Sequence, residues 1–331
     1  MHLTSLSAGR SVVGVSGGLL VAGVDYPRDW WELRRWFVDE SSCVGYLERL
    51  RWPDGPRCQR CGSADLWRMG DRALRCSDCR AETRLFAGSL FERSKLPLET
   101  WFAAAWYVTN QKGGVSALGL QRALGLGSYR TAWTLTHKLR RAMIAPERAP
   151  LERLVEVDET YLGARTRGEK RGRGAIKTPV MIGVELTDSY KPRRVRLERL
   201  ERVNGAAALA FASRNIAAGA TIRTDAASIY PILASHGYQH WAVTVAHSGD
   251  DANVAMPAVH RVASLLKRWL LGTHQGAVQA HQLDAYLNEF AFRFNRRRAG
   301  HVGLLFHRLL QHAISHPPEP YTSIRGGPDK Q

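Results

Sequence analysis

The sequence predicts a multidomain chain of the mixed α/β class, and three observations support this prediction. Four of the five cysteines form two closely spaced pairs, two helices joined by a glycine turn follow, and strands alternate with helices beyond residue 151. At 331 residues the chain is long enough for two or three domains. We expect a flexible tail (1–25), a helical lead-in (26–50), a metal-binding ribbon (51–94), a helix-turn-helix (95–150), an α/β domain (151–300) and a C-terminal tail (301–331).

The charge balance narrows the class of partner. Lysines and arginines number 47 against 30 acidic residues, a net charge of +17, and the pI is about 10.2. Such an excess attracts polyanions, although a basic surface that is simply solvated is the alternative. No apolar run reaches the ~18 residues that span a bilayer, so we expect no membrane partner. An odd number of cysteines in short pairings indicates a reducing cytoplasm rather than a secreted disulfide framework.

The cysteine spacing predicts a structural metal site. Cys58 and Cys61, then Cys76 and Cys79, form two C-x2-C pairs separated by fourteen residues. Each pair directs two sulfurs toward one point, and four thiolates in a tetrahedron favour zinc, less often iron. A redox dithiol is the alternative, which two pairs at this spacing disfavour. Cys43 is left over, and we expect it to be a core side chain on a helix of the lead-in.

Glycines divide the next segment into helices. Ser116 is placed to cap SALGLQRALG, residues 125–128 form a tight turn, and Tyr129–Met143 has the pattern of a second helix. This order is the helix-turn-helix signature, and a second helix that carries Arg130 and Lys138 suits the major groove of DNA. A plain helical hairpin is the alternative.

The strand Leu154–Gly163, LVEVDETYLG, carries the first candidate site residues. Alternation along a strand puts Glu156, Asp158 and Thr160 on one face, opposite the valines. A carboxylate in the middle of a strand is held either by a salt bridge to an arginine or by a metal ion. This stretch alone favours the salt bridge.

Two later elements change that interpretation. Asp225 follows a strand in ATIRTDAASI, and the helix Pro257–Leu271 carries His260 and Lys267. The two helical residues share a face because they are seven positions apart at 3.6 residues per turn. Two carboxylates at strand ends beside a polar helix face are the components of a metal-dependent phosphoryl-transfer site.

These segments together resemble a known family. VEVDETYLG, TDAASIYPIL, HRVASLLKRWLLGTHQG and YLNEFAFRFNRR, in this order, are similar to the RNase-H-like DDE transposases of bacterial insertion sequences. Within them the chain resembles the ISXO-type group, which has a zinc ribbon ahead of the catalytic domain. The resemblance runs from Tyr26 to Arg298 and implies an RNase-H-like α/β domain. It also implies a cytoplasmic, nucleoid-associated homo-oligomer on double-stranded DNA, namely the element's terminal repeats and its target.

The resemblance further implies the chemistry, which is DNA cleavage and strand transfer by two Mg²⁺ or Mn²⁺ ions. Asp158 and Asp225 would hold the metals. His260 would take the third position, where the family often has Glu, and Lys267 would contact phosphate near the cleaved end. Magnesium prefers oxygen ligands, whereas an imidazole suits manganese better.

Several interpretations stay open. Asp250 or Asp251, in the loop before the helix, or Glu156 could supply an extra carboxylate, although a salt-bridge role is more common for such residues. Arg296 is a candidate phosphate contact, and the basic run Arg165–Gly174 is expected to form a mobile loop over DNA. The alternative functions are a catalytically inactive transposase that acts as a DNA-binding protein and, less favoured, another nuclease on the same fold.

Overall fold

The computed structural model describes residues 20–70, 72–144, 148–163, 177–243, 255–276 and 278–326. The contacts divide the chain into two compact units. The N-terminal unit runs to Met143 and also takes in Arg298–Arg325, whereas the α/β unit runs from Ile144 to Arg297.

The N-terminal unit begins with α1 (Trp30–Trp36), α2 (Glu40–Arg51), β1 (Leu66–Gly70), β2 (Ala73–Cys76), β3 (Glu82–Arg84), α3 (Leu98–Asn110), α4 (Ala117–Leu124) and α5 (Tyr129–Ala142). The α/β unit follows with β4 (Leu154–Leu162), β5 (Thr178–Leu186), β6 (Pro192–Arg199), α6 (Gly205–Asn215), β7 (Thr221–Asp225), β8 (Gln239–Val243), α7 (Pro257–His274) and α8 (Leu283–Asn295). The chain then returns to the N-terminal unit with α9 (Val302–Ser315) and α10 (Tyr321–Arg325).

A cluster of aromatic rings forms much of the core of the N-terminal unit. The ring centroids of Phe37 and Phe102 are 4.6 Å apart, and those of Trp106 and Phe306 are 5.5 Å apart. Cys43, on α2, is fully buried beside this cluster's helices, which confirms it as a core side chain. Because Phe306 belongs to α9, this later helix completes the aromatic core of the N-terminal unit.

The structure therefore differs from the predicted C-terminal tail, residues 301–331. Most of the described part is helical, and the side chains of Leu309, Leu310 and Ile324 are fully buried. The physical reason is visible in VGLLFHRLLQHAIS, where apolar residues recur at intervals of three and four, the pattern of an amphipathic helix. Residues 327–331 lie outside the described residues.

The segment predicted to be a helix-turn-helix contains two helices, α4 and α5, joined by a short turn. The Ser116 side chain accepts the backbone N–H of Gly119 at 3.0 Å and so caps α4, as its sequence position predicts. Gly125 ends α4 with a φ of 62°, a left-handed conformation that favours glycine.

Five strands form the sheet of the α/β unit in the order β6-β5-β4-β7-β8. β4, β5 and β6 pair antiparallel, whereas β7 pairs parallel with both β4 and β8. One face of the sheet packs against α7 and α8, and the other packs against α6. A mixed sheet between helical layers confirms the predicted RNase-H-like α/β class. Within the described ranges, no helix combines the length and the apolar character needed to cross a bilayer.

Candidate functional site

The four predicted zinc ligands come together in the ribbon. The Sγ atoms of Cys58, Cys61, Cys76 and Cys79 all lie within 4.8 Å of one another. Two of the distances, Cys58–Cys79 and Cys61–Cys76, are 3.5 Å. A tetrahedron with zinc–sulfur bonds of about 2.3 Å has sulfur–sulfur edges of about 3.8 Å, so the cluster fits a zinc ion.

The backbone gives both cysteine pairs the same turn. The N–H of Gly62 donates to the Cys58 carbonyl, and the N–H of Arg80 donates to the Cys76 carbonyl. Gly62 and Arg80 both have positive φ, 77° and 61°. Hydrogen bonds from the backbone N–H of Cys61 and its preceding residue lower the pKa of the Cys58 thiol to about 6. At Cys58 the thiolate, which is the form that binds metal, is therefore favoured.

Asp158 lies in the middle of β4, on the sheet face that α7 covers. Val155 and Val157 pack in the opposite layer against α6, as the alternation along this strand predicts. The Oδ1 atom of Asp158 accepts the backbone N–H of Glu159 at 2.9 Å. Its Oδ2 atom lies 3.8 Å from Nδ1 of His260, which α7 supplies.

Asp225 ends β7, the strand next to β4. The parallel register pairs Glu156 with Arg223. Asp158 and Asp225 each follow two residues later, so they reach the same edge and the same face of the sheet. The Oδ1 atom of Asp225 accepts the N–H of Ala227 at 3.2 Å, which turns the chain at the strand end.

α7 presents His260 and Lys267 toward this edge. Lys267 is exposed, and its charge acts favourably on the Asp158 carboxylate. The His260 side chain is 27% exposed, yet its Nε2 atom is buried and has no hydrogen-bond partner among the described residues. A buried polar atom without a partner is energetically costly, so this nitrogen is available to a ligand.

The carboxylates at this edge repel one another. Burial, followed by the charges of Glu159 and Asp225, raises the pKa of Asp158 to about 7, and Lys267 partly offsets the rise. A cation bound at the two aspartates would remove that repulsion, and two carboxylates with an imidazole fit Mg²⁺ or Mn²⁺. In the described segments, the four cysteines are the one group of three or more His, Cys, Asp or Glu side chains gathered closely enough to hold a metal ion. The site is therefore more open than the zinc cluster.

Glu156, which the sequence analysis names as a candidate for an extra carboxylate ligand, is not part of this open edge. It is 1% exposed, and its Oε2 atom accepts the backbone N–H groups of Ala258 and Val259, each at 2.9 Å. Its Oε1 atom lies 3.6 Å from Nη1 of Arg223. Burial raises the pKa of Glu156, while the two N–H donors and Arg223 act in the opposite direction. The other candidates for an extra carboxylate, Asp250 and Asp251, and the basic run Arg165–Gly174 lie outside the described residues.

Sequence reasoning missed two contacts near the site. The Tyr230 hydroxyl donates to Glu159 Oε2 at 2.7 Å, and Tyr230 is fully buried, so the segment after Asp225 is tied to β4. Trp241 is 47% exposed on β8, with the Arg223 guanidinium 4.7 Å from its ring centroid. No local pattern marks either pair, because each contact joins separate strands or loops.

The three predicted DNA contacts differ in exposure. Arg130, at the start of α5, is exposed, and its guanidinium lies 4.0 Å from the ring centroid of Tyr321. Lys138 is half-buried with its ammonium 5.9 Å from the Trp101 ring, and burial lowers its pKa. Arg296 is half-buried, 4.1 Å from the ring of the phenylalanine four positions earlier. Arg130 is therefore the best placed of the three for a phosphate.

Comparisons with known proteins agree with these observations. Residues 150–295 match the family described as the ISXO2-like transposase domain, and residues 38–82 match the transposase zinc-ribbon domain. A protein of Halobacterium salinarum, described as an uncharacterized protein in transposable element ISH50, is 27% identical over 278 residues, which is 78% of this chain and 91% of that protein. Among solved structures, the simian T-cell lymphotropic virus intasome in complex with PP2A regulatory subunit B56 gamma shares 16% identity over 50% of this chain and 63% of that chain. Its TM-score of 0.28 is too low to indicate a common fold.

Proposed function

Because the chain carries the zinc ribbon and the DDE domain of the ISXO2-like transposases, we propose that it binds the ends of an insertion sequence and catalyses metal-dependent DNA cleavage and strand transfer. One observation in particular supports this function. Asp158 and Asp225 lie on the same face of two adjacent parallel strands, β4 and β7, and Nδ1 of His260 lies 3.8 Å from Oδ2 of Asp158.

In this proposal the two aspartates hold the divalent ions, Mg²⁺ or Mn²⁺. When bound, such ions activate a water or a 3′ hydroxyl and stabilise the leaving oxygen. His260 would act as a further ligand or would hold a water through its free nitrogen, and it can do so only while the imidazole is neutral. Lys267, the nearby exposed ammonium, would contact the phosphate beside the cleaved bond.

The helix-turn-helix is proposed to bind the terminal repeats. Recognition helices contact bases with their first residues, and the start of α5 exposes Arg130 next to Tyr129, which is 53% exposed. Lys138 and Arg296 complete the proposed set of phosphate contacts, with smaller expected contributions because both are half-buried. Cleavage and joining of two ends calls for more than one active site, so we propose a homo-oligomer on DNA.

A cleavage assay tests the catalytic part. The substrate is DNA bearing the inverted repeats that flank the gene, assayed with Mg²⁺ and Mn²⁺ in parallel. We expect Asp158→Ala and Asp225→Ala to abolish cleavage and His260→Ala to abolish it or reduce it strongly. His260→Glu should retain activity with Mg²⁺ because it restores an oxygen ligand.

Asp188→Ala is the matched control, since Asp188 is a surface carboxylate of the same unit, 90% exposed and paired with Arg153. It should cut like the parent. If His260→Ala also cuts like the parent under both metals while Asp158→Ala is inactive, His260 is not part of the site. If the parent binds the repeats but no metal supports cleavage, the chain is the inactive, DNA-binding alternative.

A further inference from the structure

We propose that Glu156 is a positioning residue for the carboxylate site: its carboxylate fixes the first turn of α7 to β4 and thereby sets where His260 stands relative to Asp158. The inference rests on the proposed function, and it assigns Glu156 a role distinct from metal binding. Glu156 lies two residues before Asp158 on the same strand face and is almost fully buried.

The start of α7 lacks a cap of its own. Its N-cap residue, Met256, makes no side-chain hydrogen bond, and Pro257 has no N–H. The next N–H groups, those of Ala258 and Val259, are left without partners inside the helix. Glu156 Oε2 accepts both of them at 2.9 Å. The cap therefore comes from β4, since Glu156 precedes Ala258 by 102 residues and Val259 by 103.

A cap from the adjoining residue would satisfy the same N–H groups without burying a carboxylate. A cap from β4 does something that a local cap cannot do, because it joins the two elements that supply Asp158 and His260. Val259 immediately precedes His260, and Glu156 is one pleat away from Asp158. A shift of the start of α7 relative to β4 would therefore change the 3.8 Å distance between Asp158 and His260 directly.

The remaining oxygen of Glu156 is also engaged. Arg223 Nη1 lies 3.6 Å from Oε1, and the Arg223 guanidinium packs 4.7 Å from the Trp241 ring centroid. This partner compensates the buried charge and extends the row of contacts across three neighbouring strands, from β4 through β7 to β8. With both oxygens committed and almost no exposure, Glu156 is a support of the site and not a metal ligand.

The experiment compares Glu156→Gln and Glu156→Leu with a matched control, Glu185→Gln, in the full-length protein with its zinc. Glu185 is an equally buried glutamate on β5 that accepts hydrogen bonds from Arg194 and from the N–H of Glu152, away from the carboxylate site. The first readout is amide hydrogen exchange of residues 257–262 without added metal. The second is Mn²⁺ affinity, measured by water-proton relaxation.

We expect faster exchange at residues 257–262 in both Glu156 variants, greater in Glu156→Leu, because glutamine keeps one acceptor oxygen. We expect Mn²⁺ affinity to fall about tenfold in Glu156→Gln, as it does for other residues that orient metal ligands. In Glu185→Gln we expect Mn²⁺ affinity to stay at the parent value, even if the melting temperature of this variant falls as much as that of Glu156→Gln. Unchanged exchange in both Glu156 variants would show that Glu156 does not fix the first turn of α7 to β4. Faster exchange with unchanged Mn²⁺ affinity would overturn the positioning role. A failure of the proposed function looks different, because parent and Asp158→Ala would then bind Mn²⁺ equally weakly, and the inference would fall with it.

Discussion

A fall in pH should destabilise the N-terminal unit through one buried histidine, His307 on α9. Its Nδ1 atom lies 2.7 Å from the Tyr46 hydroxyl, which in turn lies 3.2 Å from the Asp25 carbonyl oxygen. The residue is 5% exposed. Burial, helped by the nearby charge of Arg308, lowers the pKa of His307 to about 4. The ordinary value, expected in the unfolded chain, is about 6.5.

The direction of the effect follows from these two pKa values. Between about pH 6.5 and about pH 4 the unfolded chain binds a proton at His307 that the folded protein does not bind. The stability is therefore complete above about pH 6.5 and is lost as the pH falls toward 4. The gap between the pKa values corresponds to about 3 kcal/mol, of which about 2 kcal/mol is lost by about pH 5.

Urea unfolding of the parent and of His307→Phe, at about pH 7.5 and about pH 5 with excess zinc, measures this loss. Phenylalanine keeps a ring at the position, and the Tyr46 hydroxyl keeps its hydrogen bond to the Asp25 carbonyl. Other groups titrate in both proteins, so the difference between them isolates His307. We expect the variant to lose about 2 kcal/mol less than the parent on acidification. Equal losses in the two proteins would refute the reasoning, and His301→Phe, which changes an exposed histidine of the same segment, should behave like the parent.

Three further predictions concern the N-terminal unit. Cys58→Ser should reduce zinc content from one ion per chain, measured by elemental analysis, whereas Cys43→Ser should not change it; a parent protein that folds without zinc or iron would contradict the site. Arg130→Ala should weaken binding to terminal-repeat DNA and reduce the salt slope by about one, whereas Lys138→Ala should change the slope less because that side chain is half-buried; equal slopes for parent and Arg130→Ala would move recognition elsewhere. Gly303→Ala should cost about 1–3 kcal/mol in urea unfolding, because a Cβ at that position would overlap the Pro27 carbonyl oxygen, and an unchanged midpoint would show that α9 can shift.

Local patterns in the sequence were sufficient for much of the site. The spacing of the cysteines fixes which sulfurs can meet, since each C-x2-C turn is a local structure. The period of two along β4 places Asp158 on one face of the strand. The period of 3.6 along α7 places His260 and Lys267 together on one face of that helix. The sequence of α9 shows an equally regular spacing of apolar residues, so the C-terminal tail predicted for that segment was wrong for a reason that the sequence itself contains.

The remaining features depend on pairings between distant segments. The neighbourhood of Asp158 and Asp225 follows from the parallel pairing of β4 with β7, which no residue in either strand specifies by itself. The same holds for Glu156, whose partners are backbone N–H groups of a helix that begins about a hundred residues later. Lys138 has the sequence context of an exposed helix residue, and only the packing of α5 near Trp101 on α3 shows that it is half-buried.

The return of α9 to the N-terminal unit has a consequence for synthesis of the chain. The N-terminal unit is translated first, yet its ring cluster lacks Phe306 until the whole α/β unit has left the ribosome. The backbone N–H of Leu90 likewise has its acceptor, the carbonyl of Ala313, only after α9 has been synthesised. The N-terminal unit should therefore complete folding last, and its exposed aromatic surface is open to aggregation or to chaperone binding in the interval. A message that ends before α9 would yield a nascent chain in which the core of the N-terminal unit is unfinished.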